Sequence, residues 1–347
     1  MLPLVGFVLD GQFEMRRRSF IALLGGAAAW PLAARAQPER AHRIAIVHPS
    51  AAVADMNEAS DYPAYPALFK ELRRLGYVEG KNLIVDRYSG EGRQINFANL
   101  ARDVVRSMPD AIIASSNVVV LSVKQATDAI PVVGAMADPI AYGIASSLSR
   151  PGGNITGVSV DPGLEIWGKR LQVLREAVGT ATTVGFLTQQ YAWNQLQAGE
   201  VREAARRLGF SIIGPPIGDI ADQEEYRRVL GAMAQAGADA LLVSDHALTV
   251  PHRRLIVEFA EKAKMPAIYP YREFFEIGGL MAYGSSVAEL YVRLAGYVDK
   301  LLRGAKAAEL PIYLESKFEL SINLKVAKSL GLTIPTSLLV RADEVIE

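Results

Sequence analysis

Cysteine is absent from all 347 positions. The absence excludes disulfides, thiolate metal sites and cysteine nucleophiles, and it leaves no residue to carry a lipid tether at a processed N-terminus. Histidine is scarce. His42, His48, His246 and His252 are all there are, and none falls in the HExxH spacing that sets two ligands on one helical face. His246 and His252 therefore read as surface polar residues, and no metal is expected. Neither charge is in excess, with 37 basic and 37 acidic side chains, so nothing is spare to hold a phosphate backbone and nucleic acid is not an expected partner. GxGxxG, GxxxxGKS/T and GxSxG are also missing. That removes the phosphate cradle of dinucleotide and P-loop sites and the strained serine of the α/β-hydrolases. Gly152-Gly153 follows a proline and leads into a strand instead of opening a helix, so it reads as a plain turn. No cofactor is expected, and nothing argues for an enzyme.

Long apolar runs are missing too. The stretch Phe20 to Ala34 is 15 residues, short of the roughly 20 that a spanning helix needs. It sits inside "MRRRSFIALLGGAAAWPLAARAQ", Met15 to Gln37, which has a basic start, an apolar middle and the small-x-small sequence Ala34-Arg35-Ala36. That is the pattern of an export signal cleaved after Ala36, so residues 1–36 are expected to be removed, with Met1 and Met15 both open as the natural start. The paired arginines of "RRSFI" match the twin-arginine route. Cleavage removes Arg16, Arg17, Arg18 and Arg35 against Asp10 and Glu14. The mature chain is then slightly acidic, free in the periplasm and without a membrane anchor.

What the sequence does contain is alternation. From Arg43 onward short apolar runs ("RIAIV", "NLIVDRY", "AIIAS", "PVVGA") alternate with amphipathic segments such as "ALFKELRRLG", where Leu68, Phe69, Leu72 and Leu75 share a stripe that stops at Gly76. This β-α-β order predicts a parallel sheet with helices on both faces. The turn-rich "RPGGNITGVSVDPG", Arg150 to Gly163, interrupts it and marks a first crossing between domains. The alternation restarts at "IWGKRLQVLREAV" and runs through "TVGFLT", "FSIIG", "ALLVS" and "PAIYP", giving a second unit of the same kind. After the helix "AELYVRLAGYVDKLLRG", the late extended segment "LPIYLESKFELSINL" suggests another crossing.

Open parallel sheets collect ligands beyond the carboxyl ends of their strands. Those ends hold Ser50, Ser115-Ser116-Asn117 and Ala137-Asp138 in the first unit, and Tyr191 to Asn194, Asp245 and Tyr269 to Glu273 in the second. Ser115, Ser116 and Asn117 stand where a helix begins, so they either hold a carboxylate or cap the helix. Asp245 suits an ammonium group or a helix cap. Tyr191, Trp193, Tyr269 and Tyr271 either wall an aromatic ligand or pack under loops. Asp138-Pro139 reads as a turn whose carboxylate faces backbone amides.

The blocks "ADPIAYGIASSLSRPGGNITGVS", "YREFFEIGGLMAYG", "AGYVDKLLRGAKAAELPIYLESKFELSINLKVAKSLGLTIP" and "LLVRADEVIE" together resemble the ABC-transporter substrate-binding protein family that includes tryptophan- and tyrosine-type binding proteins. The resemblance implies a type I periplasmic binding protein: an α/β chain of two Rossmann-like lobes with parallel sheets, joined by three crossovers and closing over a small ligand. It places lobe 1 at 43–160 and 283–312, lobe 2 at 163–280 and 318–347, and the crossovers near Val158 to Gly163, Phe275 to Ala282 and Pro311 to Phe318. It implies a small, amino-acid-like ligand, aromatic in several members of the family, an ABC permease and its ATPase subunit as partners, and no catalysis. An extracytoplasmic sensor subunit is the alternative. Carried onto this chain, its binding positions are Ser50, Ser115, Ser116, Ala137 and Asp138 from one lobe and Asn194 and Asp245 from the other. "QQYAWN" and Ser-Ser-Asn depart from the family pattern, both at the cleft.

Overall fold

A computed structural model describes residues 41–93, 96–161 and 163–347. The expected export signal, 1–36, lies outside them. Among the described residues no helix is long and apolar enough to cross a membrane.

Two sheets divide residues 41–347. The first has the order β11-β5-β4-β3-β1-β2 and is parallel throughout. Its strands are β1 (His42–His48), β2 (Leu83–Ser89), β3 (Ala111–Ser115), β4 (Val132–Met136), β5 (Ile155–Ser159) and β11 (Tyr313–Leu314). The second has the order β13-β12-β10-β9-β8-β6-β7, from β6 (Thr183–Leu187), β7 (Ser211–Ile213), β8 (Ala240–Val243), β9 (Ala267–Tyr271), β10 (Met281–Ser285), β12 (Glu319–Asn323) and β13 (Glu344–Ile346).

Burial explains why most strands read as continuous apolar runs, since both faces of each sheet are covered. On the first sheet Ile44 and Ile46 face α1 (Ala64–Arg74) and α10 (Val287–Leu302), while Ala45 and Val47 face α2 (Phe97–Arg106) and α3 (Asn117–Ala126). On the second, Val184, Phe186, Ala240 and Leu242 pack with α4 (Ile166–Ala177) and α6 (Leu196–Arg207), beyond the short α5 (Gln190–Trp193). Leu241 and Val243 turn to the opposite face, toward α7 (Gln223–Gln235) and α8 (Arg253–Lys262), and the short α9 (Arg272–Phe275) follows β9. Gly134 and Gly157 pair across β4 and β5. The backbones meet so closely there that a Cβ on Gly157, whose φ is 136°, would lie 2.1 Å from the Gly134 carbonyl oxygen.

The chain passes between sheets three times: after β5, between β10 and α10, and between β11 and β12. The second passage lies further along than the expected 275–282. Met281 to Ser285 pair with β9 and β12 in the second sheet, so the return to the first lobe comes at Ser286 and not at residue 283. The parallel expectation also needs one correction, because β12 runs antiparallel to β10. The reason is geometric. β10 leaves the second sheet by its carboxyl end, and β12 re-enters by the same edge, so the two must run in opposite directions.

Candidate functional site

The carboxyl ends of both sheets face one cleft, about 710 Å³ with its open mouth included. Five tyrosines, Tyr62, Tyr142, Tyr191, Tyr271 and Tyr291, line it together with Met136, Val160, Val250, Val287 and Leu290. An apolar body with polar tips is thus built into the walls.

The wall from the first sheet is rich in hydrogen-bond donors. β3 runs into α3 through Ser116, which takes φ 78° and ψ 152° and caps nothing with its side chain. The first-turn N–H groups of α3 are left without a side-chain cap, while the Ser116 hydroxyl is buried with no partner. Beside it lie two further hydrogen-bonded groups. His48 Nδ1 accepts the N–H groups of Ser50 and Ala51 at 3.1 and 2.8 Å, so the neutral ring carries its proton on Nε2 and donates it to the Tyr62 hydroxyl 3.2 Å away. The Tyr291 hydroxyl lies 2.6 Å from Ser115 Oγ, and either oxygen can donate.

The wall from the second sheet carries a carboxylate. Asp245 follows β8 and is 8% exposed, and its Oδ2 lies 3.0 Å from Arg170 Nη1 in a buried ion pair. Gln197 Nε2 approaches Oδ1 at 3.3 Å, and the Tyr271 hydroxyl donates to the Asp245 carbonyl at 2.8 Å. Arg170 also donates to the Tyr283 carbonyl at 3.0 Å and lies over the Trp167 ring. Burial, with Asp245, Asp161 and Asp138 nearby, pushes the Tyr142 phenol up to about 12. His246, expected at the surface, instead faces the cleft, because the turn after β8 folds its ring back against Tyr191. Its Nδ1 accepts the Leu248 N–H at 3.2 Å, and burial lowers its pKa to about 3. His252 is also drawn in, its ring tilted by 35° against Tyr226 at 4.4 Å and bonded to the Ala221 carbonyl.

Of the expected site residues, Ser115, Ser116, Asn117, Ala137, Tyr191, Asp245 and Tyr271 line the cleft. Asn117 is tied into its own wall, because its side-chain amide donates to the Ala137 carbonyl and accepts the Ala137 N–H, at 2.9 and 2.8 Å. It shapes the loop and keeps one amide N–H and one oxygen lone pair unused by these bonds. Ser50, Asp138, Asn194 and Tyr269 are not among the lining residues. Ser50 folds over the His48 ring. Asp138 Oδ1 accepts the Ala141 N–H at 3.0 Å within its turn. Asn194 is exposed beyond the end of α5. Tyr269 lies two residues, about 7 Å, short of the carboxyl end of β9 and stacks on Phe274. Trp193, too, turns away and stacks on Phe186.

Sequence reasoning missed Tyr62, Tyr142, Gln197, His246, Tyr291 and Arg170. Arg170 did leave a signal, as a charged residue in register with Ile166, Val173, Leu174 and Ala177 on a buried helical stripe. A guanidinium there must find an anion.

A family model described as ABC transporter substrate binding protein matches residues 52–346. A tyrosine-binding protein of Clostridioides difficile is 22% identical over 271 residues, 78% of this chain and 76% of that one. Two solved structures share the fold. A conserved domain protein from Vibrio cholerae superposes with a TM-score of 0.74 at 22% identity, covering 88% of this chain and all of that one. An ABC domain from Streptococcus pneumoniae in complex with L-Trp gives 0.71 at 23%, covering 88% and 99%. These likenesses agree with a type I periplasmic binding protein architecture.

Proposed function

Because this chain belongs to the ABC transporter substrate-binding protein family, whose members bind solutes and do not transform them, we propose that it is the periplasmic component of an importer that closes on an amino acid with an aromatic side chain. The observation that carries the reading is the make-up of the cleft, which has hydroxyl groups and uncapped N–H groups from the first sheet, a carboxylate from the second and five tyrosines in its walls. A zwitterion with an aromatic body suits those walls. Its carboxylate would be held by Ser115, Ser116 and the start of α3, and its ammonium group would lie toward Asp245. Tyr62, Tyr142, Tyr191, Tyr271 and Tyr291 would cover the side chain. The names of the C. difficile relative and of the L-Trp complex favour the same class. Delivery would be to a permease driven by its ATPase subunit, after export by the twin-arginine route and cleavage behind Ala36.

Titration calorimetry of the mature chain with the common amino acids and small organic acids tests this. Tyrosine, tryptophan or phenylalanine should bind with one-to-one stoichiometry and aliphatic amino acids at least tenfold more weakly. Preference for a solute lacking either the carboxylate or the amine would remove the reading.

A further inference from the structure

The Asp245 carboxylate is already neutralised by Arg170, so by itself it offers an ammonium group little net charge. A second acid, Asp161, follows Val160, which lines the cleft. Asp161 follows β5 on the first passage between lobes, is 2% exposed, and accepts the Asp138 N–H on Oδ1 at 3.3 Å. The charges that act on it are those of Asp245, Arg170 and Asp138, and its own charge raises in turn the phenols of Tyr142 and Tyr271. One guanidinium thus stands among several carboxylates. Leaving the second buried carboxylate ionised and uncompensated is costly, and two such groups that feel each other seldom ionise together.

Resting on the amino-acid reading above, we propose that Asp161 is the switchable counter-charge of this site: protonated while the cleft is empty, it releases its proton to solvent when a ligand ammonium group docks beside Asp245. The positive charge of the ligand replaces that of the proton, so the buried cluster keeps its net charge in both states. Solutes with the same aromatic body and carboxylate but no amine would then be refused the exchange. The direction of the Asp161 shift agrees, since burial first and the Asp245 charge second raise its carboxyl to about 8 against the opposing pull of the Asp138 N–H and Arg170.

The sign follows from linkage. A group protonated in the empty form and ionised in the complex makes binding weaker as pH falls, by about tenfold per unit below the empty-form pKa. Calorimetry with L-tyrosine at pH 7, in two buffers of unlike ionisation enthalpy, should register about one proton released per ligand bound. 3-(4-Hydroxyphenyl)propionate, the deaminated analogue, should release none. Asp161→Asn should abolish both the release and the slope between pH 8 and 6. Tyrosine binding without proton release, or an Asp161→Asn chain that still releases it, overturns the proposal and leaves the amino-acid reading standing. Infrared difference spectra of the ligand-free protein decide the point without any ligand. A protonated-carboxyl C=O band should fade as pH rises through about 8 and be missing in Asp161→Asn, and a wild-type chain lacking that band also overturns it. Failure of every amino acid to bind would instead count against the proposed function.

Discussion

Ser116 holds φ 78° and ψ 152°, a region that costs any residue with a side chain about 1–3 kcal/mol and is otherwise left to glycine. The strain lies where the chain turns from β3 into α3 and aims a buried hydroxyl at the cleft. Ser116→Gly should therefore raise stability by about 1 kcal/mol, after the extra unfolded-state freedom of glycine is taken off, while weakening ligand binding. Chemical denaturation and calorimetry on the same variant check the two opposite signs. His48 gives a second test. Its ring is fully buried and its pKa is lowered to about 3, first by burial and then by the charge of His246. An unfolded histidine takes up a proton near pH 6.5 and the folded one does not, so the native state loses stability as pH falls through that window. The slope is about 1.4 kcal/mol per pH unit for this one group. Denaturation midpoints for His48→Gln against the parent between pH 7 and 4 should show a shallower fall in the variant.

At the scale of elements, the lobes touch beyond the cavity through a few contacts. The Ala221 N–H donates to the Gly92 carbonyl at 3.0 Å, and Arg93 forms an isolated antiparallel bridge with Ile220. Arg254 holds Asp61 through two bonds of 3.1 Å, and Arg253 donates to the Asp61 carbonyl. Tyr62 and Val250, near neighbours of Asp61 and Arg253, line the cleft, so these contacts form its rim. The loop after β2 can come this close because Gly92 has φ 72° and no Cβ, which would otherwise sit 3.0 Å from the Ala221 carbonyl oxygen. Gly92→Val should weaken ligand binding by about tenfold through overpacking of the rim. Stability of the ligand-free chain should fall less, by about 1 kcal/mol from the backbone conformation. Equal losses in both measurements would show that the rim takes no part in holding the ligand.

For the whole molecule, the three passages at the ends of β5, β10 and β11 are the covalent links about which two bodies of this kind could turn. Burying a ligand from both sides stabilises the state in which the walls meet, by an amount set by ligand concentration over Kd. Small-angle scattering should therefore report a smaller radius of gyration with saturating aromatic amino acid than without. In Gly92→Val the decrease should be smaller at equal ligand concentration. An unchanged radius at saturation would remove hinge closure from the reading.

Much of this architecture was legible in one dimension because its causes are local. Period-3.6 stripes such as Leu68, Phe69 and Leu72 and doubly buried runs such as "AIIA" follow from which faces each element must cover, and the order of these elements already implies paired α/β units. Serines at the start of α3 and an aspartate after β8 were legible for the same reason, since strand ends are where such sheets bind. Chain position alone could not say which way a ring turns or which charges meet. Tyr269 and Tyr271 are two residues apart on one strand, yet only Tyr271 reaches the cleft, because depth along β9 decides it. Arg170 and Asp245 are 75 residues apart, and Asp161 joins them only because two sheets and a passage converge. Composition and periodicity determined the layers. Tertiary packing decided the charge balance of the cleft, because that balance belongs to neighbours in space and has no counterpart in sequence.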